Sequence, residues 1–218
     1  MNLRRMLLLQ NSQEDFDMSI PKRFMFFIDG ENLVMRYQDM IKQGYIPFPI
    51  NNVLHYYRKD VFVWTTNIPF PSFNPRFTGI DIVRAYLYTS FQGDEVKQKQ
   101  IESEIRSIKI GNFSNYGINH TLFPVTFRKR RQNEKAKGVD ISLTVDMLSQ
   151  TFNNNVDVVC FFSGDGDFLP VLKEVVDHGK QIFIFAFSNG LNQNLYKVCD
   201  DLFILDERFF DLSKMTEK

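Results

Sequence analysis

Phe24-Met25-Phe26-Phe27-Ile28-Asp29-Gly30-Glu31-Asn32 sets an unbroken apolar run directly against a glycine-flanked group of acids. A second stretch has the same form: Val156-Asp157-Val158-Val159-Cys160-Phe161-Phe162 leads into Ser163-Gly164-Asp165-Gly166-Asp167-Phe168. A short, nearly continuous apolar run suits a strand whose sheet is covered by helices on both faces. In such sheets ligands bind in the crevice beyond the carboxyl ends of the strands, which is where both acidic clusters would lie. Carboxylates gathered there repel one another, and a divalent cation relieves that repulsion.

Outward from these two runs, strands and helices alternate. Glu31 to Gln43 reads as a helix stopping at Gly44, and Ile50 to Lys59 as another, with Leu54 one turn after Ile50. Val61 to Gly79 carries Trp64, Pro69, Pro71 and Pro75 among several phenylalanines, which predicts an irregular aromatic insertion. Ile80 to Tyr88 reads as a strand. Asp94 to Ser107 reads as a helix with Val96, Ile101, Ile105 and Ile108 facing inward. His120 to Phe127 gives a third strand and Val139 to Thr151 a helix ahead of the second acid-tipped run. Phe168 to Asp177 and Leu191 to Val198 are predicted helices, Gln181 to Phe187 and Leu202 to Leu205 predicted strands. The alternation implies an α/β, Rossmann-like three-layer domain around a mostly parallel sheet with right-handed crossovers. Its span is 21–210, with an extension at 1–20 and a tail at 211–218.

The chain of 218 residues is long enough for one large domain with a proper core. Its 23 phenylalanines are too many to be surface platforms, so most are expected inside. The formal net charge is zero, so a polyanion would have to be met by a local basic patch. Two cysteines, one in an apolar run and one in a predicted helix, argue against a disulfide framework or a zinc site and fit a reducing cytoplasm. The apolar stretch near the N-terminus is too short for a signal-peptide core, and no run approaches the length of a membrane span.

Three segments supply candidate ligands. Asp29 ends the first strand, Asp140 opens a helix, and Asp165 and Asp167 follow the strand ending at Phe162. Asn32 lies close to one helical turn past Asp29 and could face the same crevice. Ser163 either satisfies backbone donors in its turn or orients Asp165. Oxygen donors of this kind suit Mg²⁺ or Mn²⁺, with water completing the shell. Each aspartate taken singly is also an ordinary helix cap or turn residue. Asp146 points about 120° away from Asp140 around a regular helix, so it supports the site from behind or pairs with a basic side chain.

Arg128-Lys129-Arg130-Arg131, with Lys135 and Lys137, immediately precedes Asp140. Cations beside an acidic metal site are what an approaching phosphate backbone requires, and they would make binding salt-sensitive. A solvated surface loop is the other reading. Trp64, Phe70, Phe73 and Phe77 could stack unpaired bases, but packing the insertion onto the domain, or an oligomer contact, fits a proline-punctuated loop better.

Taken together, Ile28-Asp29-Gly30-Glu31-Asn32-Leu33, Lys137-Gly138-Val139-Asp140 through Asp146-Met147-Leu148, and Phe162-Ser163-Gly164-Asp165-Gly166-Asp167-Phe168 resemble the NYN domain family of the PIN-like nuclease group. The stretch from Leu169-Pro170-Val171-Leu172 to His178-Gly179-Lys180 resembles it too, so the likeness spans about Phe24 to Leu205. It implies a PIN-like sheet whose acid-tipped strands come together, and metal-dependent cleavage of RNA. Carried onto matching positions, Asp29, Asp140 and Asp165 would bind the metal, with Asn32 and Asp167 assisting and Asp146 and Ser163 in support.

The function expected is therefore a Mg²⁺- or Mn²⁺-dependent endoribonuclease acting on single-stranded or structured RNA. The sequence does not choose RNA over DNA, and it leaves room for a homo-oligomer. Another class of function, an RNA-binding or regulatory interaction module whose acidic site goes unused, shares every one of these residues. Gly164-Asp165-Gly166-Asp167 also resembles part of the metal loop of haloacid-dehalogenase-type phosphatases. That chemistry needs an aspartate two residues after its nucleophile, whereas the chain has Asp29-Gly30-Glu31.

Overall fold

A computed structural model describes residues 21–51, 53–69, 79–111, 120–129 and 138–214. Six strands form one sheet: β1 (Lys22–Asp29), β4 (Ile80–Phe91), β5 (Phe123–Arg128), β6 (Val158–Phe162), β7 (Gln181–Ala186) and β8 (Asp201–Ile204). They lie in the order β5-β4-β1-β6-β7-β8, and every neighbouring pair is parallel. Two more strands, β2 (His55–Arg58) and β3 (Phe62–Thr65), make a separate antiparallel hairpin.

The strands at the centre of the sheet are apolar throughout because both their faces are covered. Phe24, Phe26 and Ile28 of β1 pack into one core, while Met25 and Phe27 pack into the other. The first core takes Leu33, Val34, Tyr37 and Met40 from α1 (Gly30–Lys42), and Ile101 and Ile105 from α2 (Glu95–Ser107). The second takes Val139, Leu143 and Met147 from α3 (Val139–Phe152), and Leu172 and Val175 from α4 (Leu169–Asp177). This is the three-layer architecture expected, and the phenylalanines are largely its filling. Phe162 stacks on Phe185 at 4.3 Å and Phe185 on Phe203 at 4.7 Å, a ladder of rings across three adjacent strands.

Strand order turns at the β1–β6 pair. Crossovers after β1 and β4 carry α1 and α2 over one face, and those after β5 and β6 carry α3 and α4 over the other. The crevice at such a turning point is where α/β sheets place their ligands. Asp29 and Ser163 flank it, because Ile28 is the register partner of Phe162.

Some expectations are corrected. The segment predicted as a helix over Ile50 to Lys59 instead turns at Asn51 and forms β2. Asn51 Oδ1 accepts the Leu54 N–H at 2.8 Å, and Tyr56 and Tyr57 then pair with Trp64 and Val63. The aromatic segment is less irregular than expected, since Phe62–Thr65 is the buried strand β3. Trp64 is 1% exposed and its indole N–H donates to Ile110 O at 3.0 Å, so it is a core residue and not a base-stacking platform. Phe70, Phe73 and Phe77 lie outside the described residues. Val96 is 75% exposed because it sits in the first turn of α2, whereas Ile101, Ile105 and Ile108 do face inward. Leu191 to Val198 contains only a short 3-10 turn, Gln193–Lys197. Among the described residues, no helix is long and apolar enough to cross a membrane.

Candidate functional site

Asp29 is the last residue of β1 and caps α1, its Oδ1 accepting the Asn32 N–H at 2.9 Å. The helix can begin so close to the sheet because position 30 is glycine; a Cβ there would lie 2.8 Å from the Tyr88 carbonyl oxygen of β4. Asp29 Oδ2 accepts from the hydroxyl of Ser163 at 3.0 Å, in the turn after β6. Ser163 Oγ in turn accepts the Asp165 N–H at 3.1 Å, and Asn32 Oδ1 accepts the Gly164 N–H at 3.3 Å. The two acid-tipped strands are thus tied together by the side chains of Ser163 and Asn32, both buried.

Burial pushes the Asp29 carboxyl up to about 7, and the negative fields of Asp140 and Glu31 add to that rise. The hydrogen bonds from Asn32 and Ser163 oppose it. Asp140 therefore stands within electrostatic reach of Asp29. The N-cap position of α3 is Gly138, two residues before Asp140. Asp165 caps the 3-10 turn Gly166–Phe168 with Oδ1, accepting the Asp167 N–H at 2.9 Å. The capping reading thus holds for Asp29 and Asp165, and in Asp29 it coexists with a buried, crowded charge. Asp167 itself is exposed.

The profile of the NYN domain matches residues 23–206, which is most of the chain. The chain belongs to the NYN domain family. An uncharacterized protein of Methanocaldococcus jannaschii is similar to it, at 26% identity over 135 residues, 61% of this chain and 56% of that relative. The chain thus spans little more than half of that curated relative. The crystal structure of a protein of unknown function from Vibrio parahaemolyticus shares the fold, with a TM-score of 0.54 at 16% identity. That match covers 92% of this chain and 100% of the other. NYN domains are PIN-like and stand within a nuclease group.

In this NYN domain the expected trio of Asp29, Asp140 and Asp165 is not assembled as a ready-made cage. Among the described residues, no group of three or more His, Cys, Asp or Glu side chains is arranged to hold a metal ion. Both Asp29 oxygens are turned to Ser163 and the Asn32 N–H, and Asp165 folds back onto the Asp167 N–H. The donors still fit Mg²⁺ or Mn²⁺ in kind. Mg²⁺ keeps several waters and takes one or two protein carboxylates, with phosphates of the substrate completing the shell. A carboxylate oxygen that accepts one hydrogen bond retains a second lone pair. The buried, repelled charge of Asp29 is the observation that such a cation would answer.

Asp146 Oδ2 accepts the Tyr88 hydroxyl at 2.9 Å, and Tyr88 is the register partner of Asp29. Of the basic run, Arg128 is exposed at the end of β5, while Lys129 is engaged by Glu31 at 2.6 Å. Lys129 is therefore an internal counter-ion more than a free phosphate contact. Arg130, Arg131, Lys135 and Lys137 lie outside the described residues. Arg128 and Lys129 line a cleft of about 680 Å³ with Gln92, Gly93 and Asp94, on the same edge of the sheet as Asp29.

Sequence reasoning missed Glu31 as a participant. It accepts from the Ser90 hydroxyl as well as pairing with Lys129, and so ties α1 to the ends of β4 and β5. It missed Tyr88 as well, which is opposite Asp29 in the β1–β4 register. Glu31 stood inside the quoted acidic cluster, so a signal existed; Ser90 and Tyr88 depend on register between distant strands, which no local pattern carries.

Proposed function

We propose that this NYN domain is a metal-dependent endoribonuclease hydrolysing phosphodiester bonds of single-stranded or structured RNA, with Mg²⁺ or Mn²⁺ as its ion. The observation that carries the reading is Asp29, a buried carboxylate with a raised pKa, tied through Ser163 to the turn bearing Asp165 and lying in the field of Asp140. Asp29, Asp140 and Asp165 would hold the ion. When bound, it would neutralise charge on the phosphoryl oxygens and ease deprotonation of the attacking water. Asn32 and Ser163 fix the two carboxylate-bearing segments against each other, and Asp167 fixes the Asp165 side chain through its N–H. Arg128, and the basic residues that follow it in sequence, would lead the phosphate backbone toward the crevice.

A second reading draws on the lack of a preassembled three-ligand cage among the described residues. In it the same edge binds RNA and does not cut it. The two separate in one experiment: purified protein with labelled single- and double-stranded RNA and DNA, with Mn²⁺ and with chelator, beside Asp165→Asn. Mn²⁺-stimulated RNA cleavage lost in the variant supports the nuclease. RNA retained on the protein but uncut under every condition supports the binding module.

A further inference from the structure

Arg36 lies on α1 one helical turn beyond Asn32, and so on the same face of that helix. Its guanidinium is pressed against Gly190, at a distance that leaves no space for a Cβ. Gly190 in turn backs onto the acid-bearing turn, since a Cβ on Gly164 would stand 3.1 Å from the Gly190 carbonyl oxygen. A continuous contact path therefore runs from Asn32 through Gly164 and Gly190 to Arg36. Arg36 Nε is buried with no hydrogen-bond partner, and so is Asn189 Nδ2 in the adjoining turn. Among the described residues no carboxylate forms an ion pair with Arg36. The residue as a whole is only partly buried, so part of its side chain stays open to solvent although Nε does not.

A buried donor without a partner destabilises a fold, so packing supplies no reason for an arginine at this place. Recognition of an anion does. The guanidinium fork matches a phosphate with two parallel N–H bonds, and the close contact with Gly190 restrains where it can sit. From Asp29 to Arg36 the helix advances about 10 Å at about 1.5 Å per residue. That places Arg36 about two helical turns along α1 from the acid. The partner of Arg36 is accordingly a different phosphate of the same strand.

We propose that Arg36 is a phosphate-binding residue that holds the RNA chain at a nucleotide flanking the one positioned at Asp29. The proposal rests on the ribonuclease reading and adds a subsite to it.

The test is the binding of a fluorescent single-stranded oligoribonucleotide, followed by anisotropy across a salt series with chelator present. It compares wild type, Arg36→Gln and Arg36→Lys, beside thermal unfolding of each. Arg36→Gln is expected to weaken binding about tenfold or more. It should also flatten the log–log salt dependence by about 0.7, the share of one phosphate on a single strand. Its unfolding midpoint should be no lower than wild type, because no bond is broken, and Arg36→Lys should recover part of the affinity and the slope. An oligonucleotide with methylphosphonates at the flanking positions should bind wild type as weakly as the unmodified one binds Arg36→Gln. Wild-type affinity and slope in Arg36→Gln overturn the subsite. A lowered midpoint with an unchanged slope makes the residue structural and overturns it equally. Wild-type protein that binds no RNA at any salt, with chelator and with Mn²⁺ alike, overturns the ribonuclease reading itself, before any variant is compared.

Discussion

The Ser163 hydroxyl donates to Asp29 Oδ2 at 3.0 Å, joining the carboxyl ends of β1 and β6 through a bond between two buried side chains. Ser163 Oγ also accepts the Asp165 N–H at 3.1 Å, so one hydroxyl positions both acid-bearing segments. Ser163→Ala leaves the buried carboxylate short of a donor. We predict a stability loss of about 1–3 kcal/mol, the range for a hydrogen bond to a charged buried group. Cleavage of RNA should fall by more than binding does. Urea titration and single-turnover rates measure the two, and a variant cutting at the wild-type rate would remove Ser163 from the account.

Gly30→Ala tests the close approach of α1 to the sheet. Its Cβ would meet the Tyr88 backbone oxygen at 2.8 Å, and backbone does not swing aside as a side-chain tip does. We expect a loss of about 1–3 kcal/mol from this overpacking. Activity should fall with it, because Asp29 is the adjacent residue. An unfolding midpoint equal to wild type would show that the helix start has room to move.

Trp64 separates core packing from base stacking. Trp64→Ala should destabilise by about 3–5 kcal/mol, as large aromatic truncations in cores do. Trp64→Phe should keep the fold and the affinity for single-stranded RNA. Affinity lost in Trp64→Phe at unchanged stability would restore the stacking role that its burial denies.

The Arg23–Asp157 pair gives a pH signature away from the site. Asp157 accepts from the Arg23 side chain at 2.7 and 3.0 Å, and these bonds hold its carboxyl down to about 2. In the unfolded chain an aspartate titrates near ~3.9. Because the folded value is the lower one, the pair's contribution is fully present above the unfolded value and disappears as pH falls through about 2. Both side chains are partly exposed, so it is worth about 1 kcal/mol. Denaturation of wild type and Asp157→Asn should differ by a constant amount near neutrality and converge at the acid end. A gap that widens on acidification would contradict the assignment.

The parts of this molecule legible in the sequence are those that local pattern dictates. β1 and β6 declared themselves as apolar runs because both faces of the sheet are covered, and the acids at their ends marked the crevice. The bond from Ser163 to Asp29 was not among the roles expected for that serine, because it depends on the register between those two strands. Ile50 to Lys59 misled because Ile50 and Leu54 carry helical spacing, whereas cross-strand pairing of Tyr56 with Trp64 decided the outcome. Lys129 looked like a free cation because its partner, Glu31, is nearly a hundred residues away and reaches it only once β4 and β5 are aligned. Arg36 gave no signal at all, since its meaning depends on a glycine turn that arrives from the far end of the chain.

Binding of Mn²⁺ to wild type, Asp29→Asn and Asp140→Asn, followed by electron paramagnetic resonance, decides whether these carboxylates share an ion. Carboxylates brought together from separate elements should give wild type a site that each single substitution weakens by about tenfold or more, at least as much as the loss of a group that only supports a ligand. Equal Mn²⁺ occupancy in all three proteins, or none in wild type, would contradict it.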